Sequence, residues 1–321
     1  MKTSQYNTII NNLNNSNPKF FIITCHGWSA SNWLAYCLNL HPNITCGHSG
    51  AAILANDPNY INIDGLKKNF RVIREGCLQR QTRSILETYH KLQKQKNAPF
   101  IGTVHSYRLR DLPFQQRNFS FDIDYFRTVN LVRHPLDLVI SGYGQFKDLF
   151  KMDINEFSFT ISKLVNQGLD IVDSICIKYN LVPGDFNNLC FFSACVILGS
   201  LRLDLDALET IQKSTDNPWN YQGTVRMEEI TQSPTRFSKL IEQITNKNDL
   251  VSKEYINNIY NIGRVNIHNK EASLGIIQRW NDLKKWQKET FVLFFRRFNI
   301  QSSYESMGYN FDFINNWNNE S

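Results

Sequence analysis

The stretch that most constrains this chain spans residues 129–143, where the apolar run Val129-Asn130-Leu131-Val132 stops at Arg133 and Ser141 follows eight residues later. Such a run is expected to form a buried strand. Pro135 suits the first turn of a helix, because an N–H at that position would have no intrahelical partner. Ser141 then falls about two turns along that helix. An arginine delivered to a sheet edge and a hydroxyl on the following helix can grip one dianion from two sides. The guanidinium supplies a planar fork of donors and the serine adds an O–H.

A second strand, loop and helix stand near the start. Lys19-Phe20-Phe21-Ile22-Ile23-Thr24-Cys25 reads as a strand, and His26-Gly27-Trp28-Ser29-Ala30-Ser31-Asn32-Trp33-Leu34 turns into a helix. The first N–H groups of a helix have no intrahelical acceptor, and with the helix dipole they attract anions. Ser29, Ser31 and Asn32 reinforce that end, and Gly27 lets the turn approach a ligand closely.

Further along, residues 31–40 have helical character up to Pro42, 44–46 suit a short strand, and 78–96 suit a basic helix. Strands are expected at 100–105 and 126–132. Residues 148–217 are largely helical on either side of Pro183-Gly184-Asp185, and 221–226 return to a strand. Ser233-Pro234 then starts a helix whose Phe237, Leu240, Ile241 and Ile244 share one face. This alternation predicts an α/β chain: a three-layer, P-loop-like sandwich with a central parallel sheet, helices on both faces and helical insertions, its ligands at the carboxyl ends of the strands. The expected layout is a flexible polar arm over 1–18, a single domain over 19–309 and a carboxyl-terminal tail over 310–321.

Taken together, the two anion-binding segments resemble the nucleotide-binding elements of sulfotransferases that use 3′-phosphoadenosine 5′-phosphosulfate (PAPS). In that family a loop of the form Pro-Lys-Ser-Gly-Thr-Thr-Trp holds the 5′-phosphosulfate, and Gly27-Trp28-Ser29-Ala30-Ser31-Asn32-Trp33 is similar to it. An Arg and a Ser eight residues apart hold the 3′-phosphate, the interval at which Arg133 and Ser141 stand. Gly223-Thr224-Val225-Arg226-Met227-Glu228-Glu229-Ile230 before Ser233-Pro234, and Arg279-Trp280 with Gly308-Tyr309, resemble later family elements. The likeness spans roughly residues 19–309, and the order of the motifs carries it more than any one of them.

The resemblance implies PAPS as sulfuryl donor, no metal, and a hydroxyl acceptor (an amine second) on a small molecule, carbohydrate or lipid. It also implies that residues 26–33, Arg133 and Ser141 bind the nucleotide, with Arg264 as a late basic contact and Trp33 against the adenine. His105, in Thr103-Val104-His105 where the family carries Lys-Thr-His, is the expected general base, with His48 in reserve. His26 is placed to meet the sulfuryl oxygens. The chain departs from the pattern at Trp28, where the loop lysine is expected, and at Ala30, where a glycine is. Either a cation from elsewhere, such as Lys147 or Arg264, completes the site, or the chain binds PAPS or its product 3′,5′-adenosine bisphosphate with little or no transfer. An ATP-dependent kinase is disfavoured, because no Gly-x-x-x-x-Gly-Lys-Ser/Thr element follows the first strand.

Composition narrows the rest. A net charge of +6 over 321 residues, spread along the chain, fits an anionic ligand and not a nucleic-acid binder. Seven cysteines show no metal-ligand spacing and, being odd in number, no complete disulfide framework. The longest apolar stretch, 189–201, is short of the roughly 20 residues of a membrane span and reads as a core helix. No apolar leader precedes Pro18, so the cytoplasm is the expected address. Oligomeric state and acceptor identity leave no mark that these motifs register.

Overall fold

From Phe20 onward every residue of the first strand is buried, as befits a parallel strand covered on both faces. The computed structural model describes residues 19–27, 29, 31–48, 51–54, 85–113, 126–152, 154–261 and 275–320. Trp28, Ala30, Arg264 and the arm over 1–18 lie outside the described residues. In chain order the elements are β1 (Lys19–Cys25), α1 (Ser31–Asn39), β2 (Ile44–His48), β3 (Ala51–Leu54), α2 (Ile85–Gln95), β4 (Phe100–Val104), β5 (Phe126–Val132), α3 (Pro135–Met152), α4 (Ile154–Tyr179), α5 (Phe186–Cys195) and α6 (Ile197–Lys213). They continue with β6 (Tyr221–Arg226), α7 (Met227–Gln232), α8 (Pro234–Thr245), α9 (Lys253–Asn261), α10 (Ile276–Asn281), α11 (Lys285–Arg297), α12 (Gln301–Ser306) and α13 (Asp312–Glu320).

By internal contacts the chain divides into two compact units. The first holds residues 1–132 and 207–266, the second 133–206 and 267–321. All described strands belong to the first, in one sheet of order β3-β2-β4-β1-β5-β6. Five of them are parallel, and β3 runs antiparallel to β2 at the edge. β3 has no counterpart among the strands expected from the sequence. Its only local signal was the Ser49-Gly50 pair between two short apolar runs, a turn dipeptide too common to specify a strand.

Strand alternation sorts the sheet into two covered faces. Phe21, Ile23, Cys25, Val104, Val129 and Leu131 pack with α1, α8 and α9. Gly102 lies opposite Phe21 in register, where a Cβ would stand 2.2 Å from the Phe21 ring, so only glycine lets that ring lie across β4. On the other face Tyr89 of α2 packs edge-on against Phe20 and Phe126 and donates its hydroxyl to the Phe21 carbonyl. The chain is therefore α/β, with helices on both faces of a central parallel sheet.

The carboxyl end of α1 is fastened by one cation. Lys96 Nζ donates to the carbonyls of Asn39 (3.0 Å), His41 (3.0 Å) and Ile44 (2.8 Å), which satisfies orphan helix carbonyls and complements the negative end of the dipole. Lys96→Met is expected to destabilise the protein by about 1.5 to 3 kcal/mol, read as a shift of the urea midpoint. An unshifted midpoint would show these bonds to be replaced by solvent.

The second unit is helical. Asp185 caps α5 by accepting from the N–H groups of Asn187 (3.0 Å) and Asn188 (3.2 Å). The apolar stretch read as one core helix is broken at Val196 into α5 and α6. This seats Ile197 over Gly142 of α3, where a Cβ would meet Ile197 Cδ1 at 2.4 Å. By length and composition Phe186–Lys213 is apolar enough to cross a membrane, but 67% of its apolar window is buried inside the protein, as in a core helix. Trp280, Trp286, Phe291, Phe294 and Phe295 are buried too, so this aromatic series fills the core.

Candidate functional site

In the first unit, neighbouring parallel strands end side by side and bring three histidines to their carboxyl ends. His26 follows β1, His48 closes β2 beside Val104, and His105 follows β4. All three are buried. His105 is held in the left-handed region at φ 62°, where a non-glycine residue carries strain. Two bonds to β1 keep it there: its N–H donates to the Ile23 carbonyl at 3.1 Å, and its Nδ1 lies 3.1 Å from the Cys25 carbonyl. A carbonyl only accepts, so Nδ1 carries the proton, and in the neutral ring Nε2 is the basic nitrogen. The ring lies against Gly27, where a Cβ would sit 3.7 Å from Nε2.

The loop side matches an anion site. Ser31 opens α1, a helix with no acidic residue in its first turn, and its Oγ lies 2.9 Å from His48 Nε2. Ser29 is 1% exposed, and its Oγ has no hydrogen-bond partner among the described residues. A buried hydroxyl of that kind calls for a polar ligand. His48 and His105 stand with ring centroids 5.7 Å apart. His48 is thus spent on Ser31, whereas His105 is oriented by the backbone.

Electrostatics reveals what motif reading missed. Burial holds His26 well below the usual imidazole range, and the charges of Arg108, Arg110 and His105 push it further in the same direction. Arg108 and Arg110 belong to the short turn after His105, in which the Arg108 N–H donates to Asp111 Oδ2 at 2.9 Å. Both charges act on His26, whereas the sequence suggested a cation from elsewhere in the chain, such as Lys147 or Arg264. Neither arginine carries a motif, and only the fold brings them near His26. Trp33, expected against adenine, is 9% exposed and packs edge-on against Phe237 and Tyr260, as part of the core.

The second unit begins at Arg133, the residue after β5 in the chain. Arg133 is 4% exposed and its Nη1 donates to Ser141 Oγ at 3.0 Å, so the structure brings the two expected phosphate ligands together. Asp137, one helical turn away, lies 3.6 Å from Arg133 Nε through Oδ2 and takes Arg279 Nη1 on Oδ1. Between them His134 starts α3: its Nδ1 accepts the Leu136 N–H at 3.2 Å, and its ring sits among Tyr309, Phe311 and Phe313. Burial above all, and then the charges of Arg279 and Arg133, hold its pKa down to about 3. His134 is therefore neutral, and the charge of this cluster is that of two arginines and one aspartate.

No protein-family model matches the chain, and no curated protein matches it. Among solved structures, a sulfotransferase from Alicyclobacillus acidocaldarius aligns at 14% identity and a TM-score of 0.40, covering 88% of this chain and 95% of that one. The sulfotransferase domain from the curacin biosynthetic pathway aligns at 15% identity and a TM-score of 0.40, covering 86% and 96%. These are loose superpositions, and the functional reading rests on the side chains described above.

Proposed function

We propose that the chain is a sulfotransferase that takes its sulfuryl group from PAPS and passes it to a hydroxyl, or secondarily an amine, of a small molecule, carbohydrate or lipid. The observation that carries this reading is the Arg133–Ser141 pair at 3.0 Å, its arginine buried, a cation and a hydroxyl suited to the ribose 3′-phosphate that PAPS has and ATP lacks. The buried Ser29 hydroxyl, without a hydrogen-bond partner among the described residues, supports an anion at the first loop. PAPS, when bound, supplies the sulfuryl group and an adenosine bisphosphate leaving group.

The chain's own residues divide the work. Gly27, Ser29, Ser31 and Asn32, with Trp28 and Ala30 in the same loop, hold the 5′-phosphosulfate through N–H and hydroxyl donors. Arg108 and Arg110 supply positive charge beside it in place of the absent loop lysine. Arg133 and Ser141 hold the 3′-phosphate. His105 takes the acceptor's proton at Nε2, its other nitrogen locked on the Cys25 carbonyl. His48 steadies the Ser31 hydroxyl. The six described cysteines are buried free thiols, which supports the cytoplasm as the working compartment.

The test is transfer of labelled sulfate from PAPS to a panel of hydroxyl and amine acceptors, alongside titration with 3′,5′-adenosine bisphosphate. Absence of bisphosphate binding would sink the reading. Binding without transfer to any acceptor would favour the second reading, a nucleotide-binding protein of this fold, for which Trp28 in place of the loop lysine is the specific argument. Arg133→Ala is expected to weaken bisphosphate binding by about 1.5 to 3 kcal/mol, roughly 10- to 150-fold. Unchanged affinity by calorimetry would remove Arg133 from the site.

A further inference from the structure

An aspartate beside a phosphate-binding arginine is an odd choice, because its charge cancels the arginine's and repels the dianion. Asp137 is 5% exposed and faces Arg133 Nε with one oxygen. The structure resolves this conflict with a residue 142 positions away: Arg279 Nη1 donates to the other oxygen. Arg279 is fixed by its neighbour, since Trp280 is 3% exposed and packs on Phe291 and Phe313. The buried guanidinium of Arg133 and the partly exposed one of Arg279 thus share one carboxylate. With His134 neutral, Arg133, Asp137 and Arg279 together carry one net positive charge.

We infer that Arg279 is a charge-balancing and positioning residue for 3′-phosphate recognition: by occupying Asp137 it offsets the carboxylate that faces Arg133 and fixes where that carboxylate stands. The inference rests on the proposal that Arg133 and Ser141 bind a 3′-phosphate. It makes Arg279 a determinant of selectivity between a nucleotide with a 3′-phosphate and one without. Near neutral pH that phosphate is largely dianionic, so an uncompensated Asp137 opposes it directly.

The experiment is calorimetric titration of the full chain with 3′,5′-adenosine bisphosphate and with adenosine 5′-monophosphate. Wild type is expected to prefer the bisphosphate. Arg279→Ala is expected to reduce that preference about 10- to 100-fold through the bisphosphate alone, and Arg279→Lys to retain most of it. Adding Asp137→Asn to Arg279→Ala is expected to restore part of the preference, because the repelling charge is then gone. Should Arg279→Ala fail to fold, Arg279→Gln with and without Asp137→Asn makes the same comparison. Full preference in the Arg279 variants would overturn the inference and leave the sulfotransferase reading standing. Loss of preference without rescue by Asp137→Asn would overturn charge balance in favour of a packing role. A wild type without preference would fail the 3′-phosphate reading itself, and the inference with it.

Discussion

Replacing His105 with asparagine is expected to lower turnover by about 10²- to 10⁴-fold while leaving affinity for 3′,5′-adenosine bisphosphate within about twofold. Asparagine is the informative substitution because His105 sits at φ 62°, a backbone region that asparagine tolerates and alanine does not. Loss of activity then reports loss of the imidazole and not collapse of the turn after β4. Nδ1 of the ring is engaged with the Cys25 carbonyl, so in the proposed mechanism the proton is taken at Nε2. The measurement is steady-state transfer from PAPS with a responsive acceptor, paired with calorimetry. Retained turnover would move the base to His48, whose Nε2 meets Ser31 at 2.9 Å.

Acid should weaken both units, each through one buried histidine. His134 is held at about 3 by burial and by Arg279 and Arg133, and burial with Arg108 and Arg110 holds His26 well below its ordinary range. In the unfolded chain both titrate near about 6.5. Below that value the unfolded state binds protons that the folded state refuses, so stability is fully present above about 6.5 and is lost as the pH falls. For His134 the loss continues to its folded value of about 3. Each histidine contributes about 1.4 kcal/mol per pH unit within its window. Urea midpoints recorded between pH 7 and pH 5 would show this slope. His134→Asn should remove one proton's worth of it, since an asparagine at that position still caps the Leu136 N–H and does not titrate. An equally steep slope in that variant would assign the acid sensitivity to carboxylates.

The neutrality of His134 also bears on ligand binding. It caps α3 between Arg133 and Asp137, and a protonated ring there would add charge while releasing the Leu136 N–H. Acid therefore reaches the proposed phosphate-binding pair through the cap that starts its helix.

What could be read from the sequence was what depends on neighbours in the chain. The buried run of β1, the Pro135 start of α3, the Ser233-Pro234 start of α8 and the eight-residue interval from Arg133 to Ser141 are all set by local spacing, because helix and strand periods place residues a few positions apart on a common face. His105 could be named from its place after a strand, but not its left-handed backbone, nor which nitrogen is basic; both follow from bonds to Ile23 and Cys25, some 80 residues earlier. The antiparallel β3 carried too little periodicity to announce itself. Only the tertiary structure decided that Arg108 and Arg110 act on His26, that Trp33 belongs to the core, and that Arg279 sits on Asp137. Those facts depend on charge and packing between segments remote in sequence, where distance through space, not spacing along the chain, sets the energy.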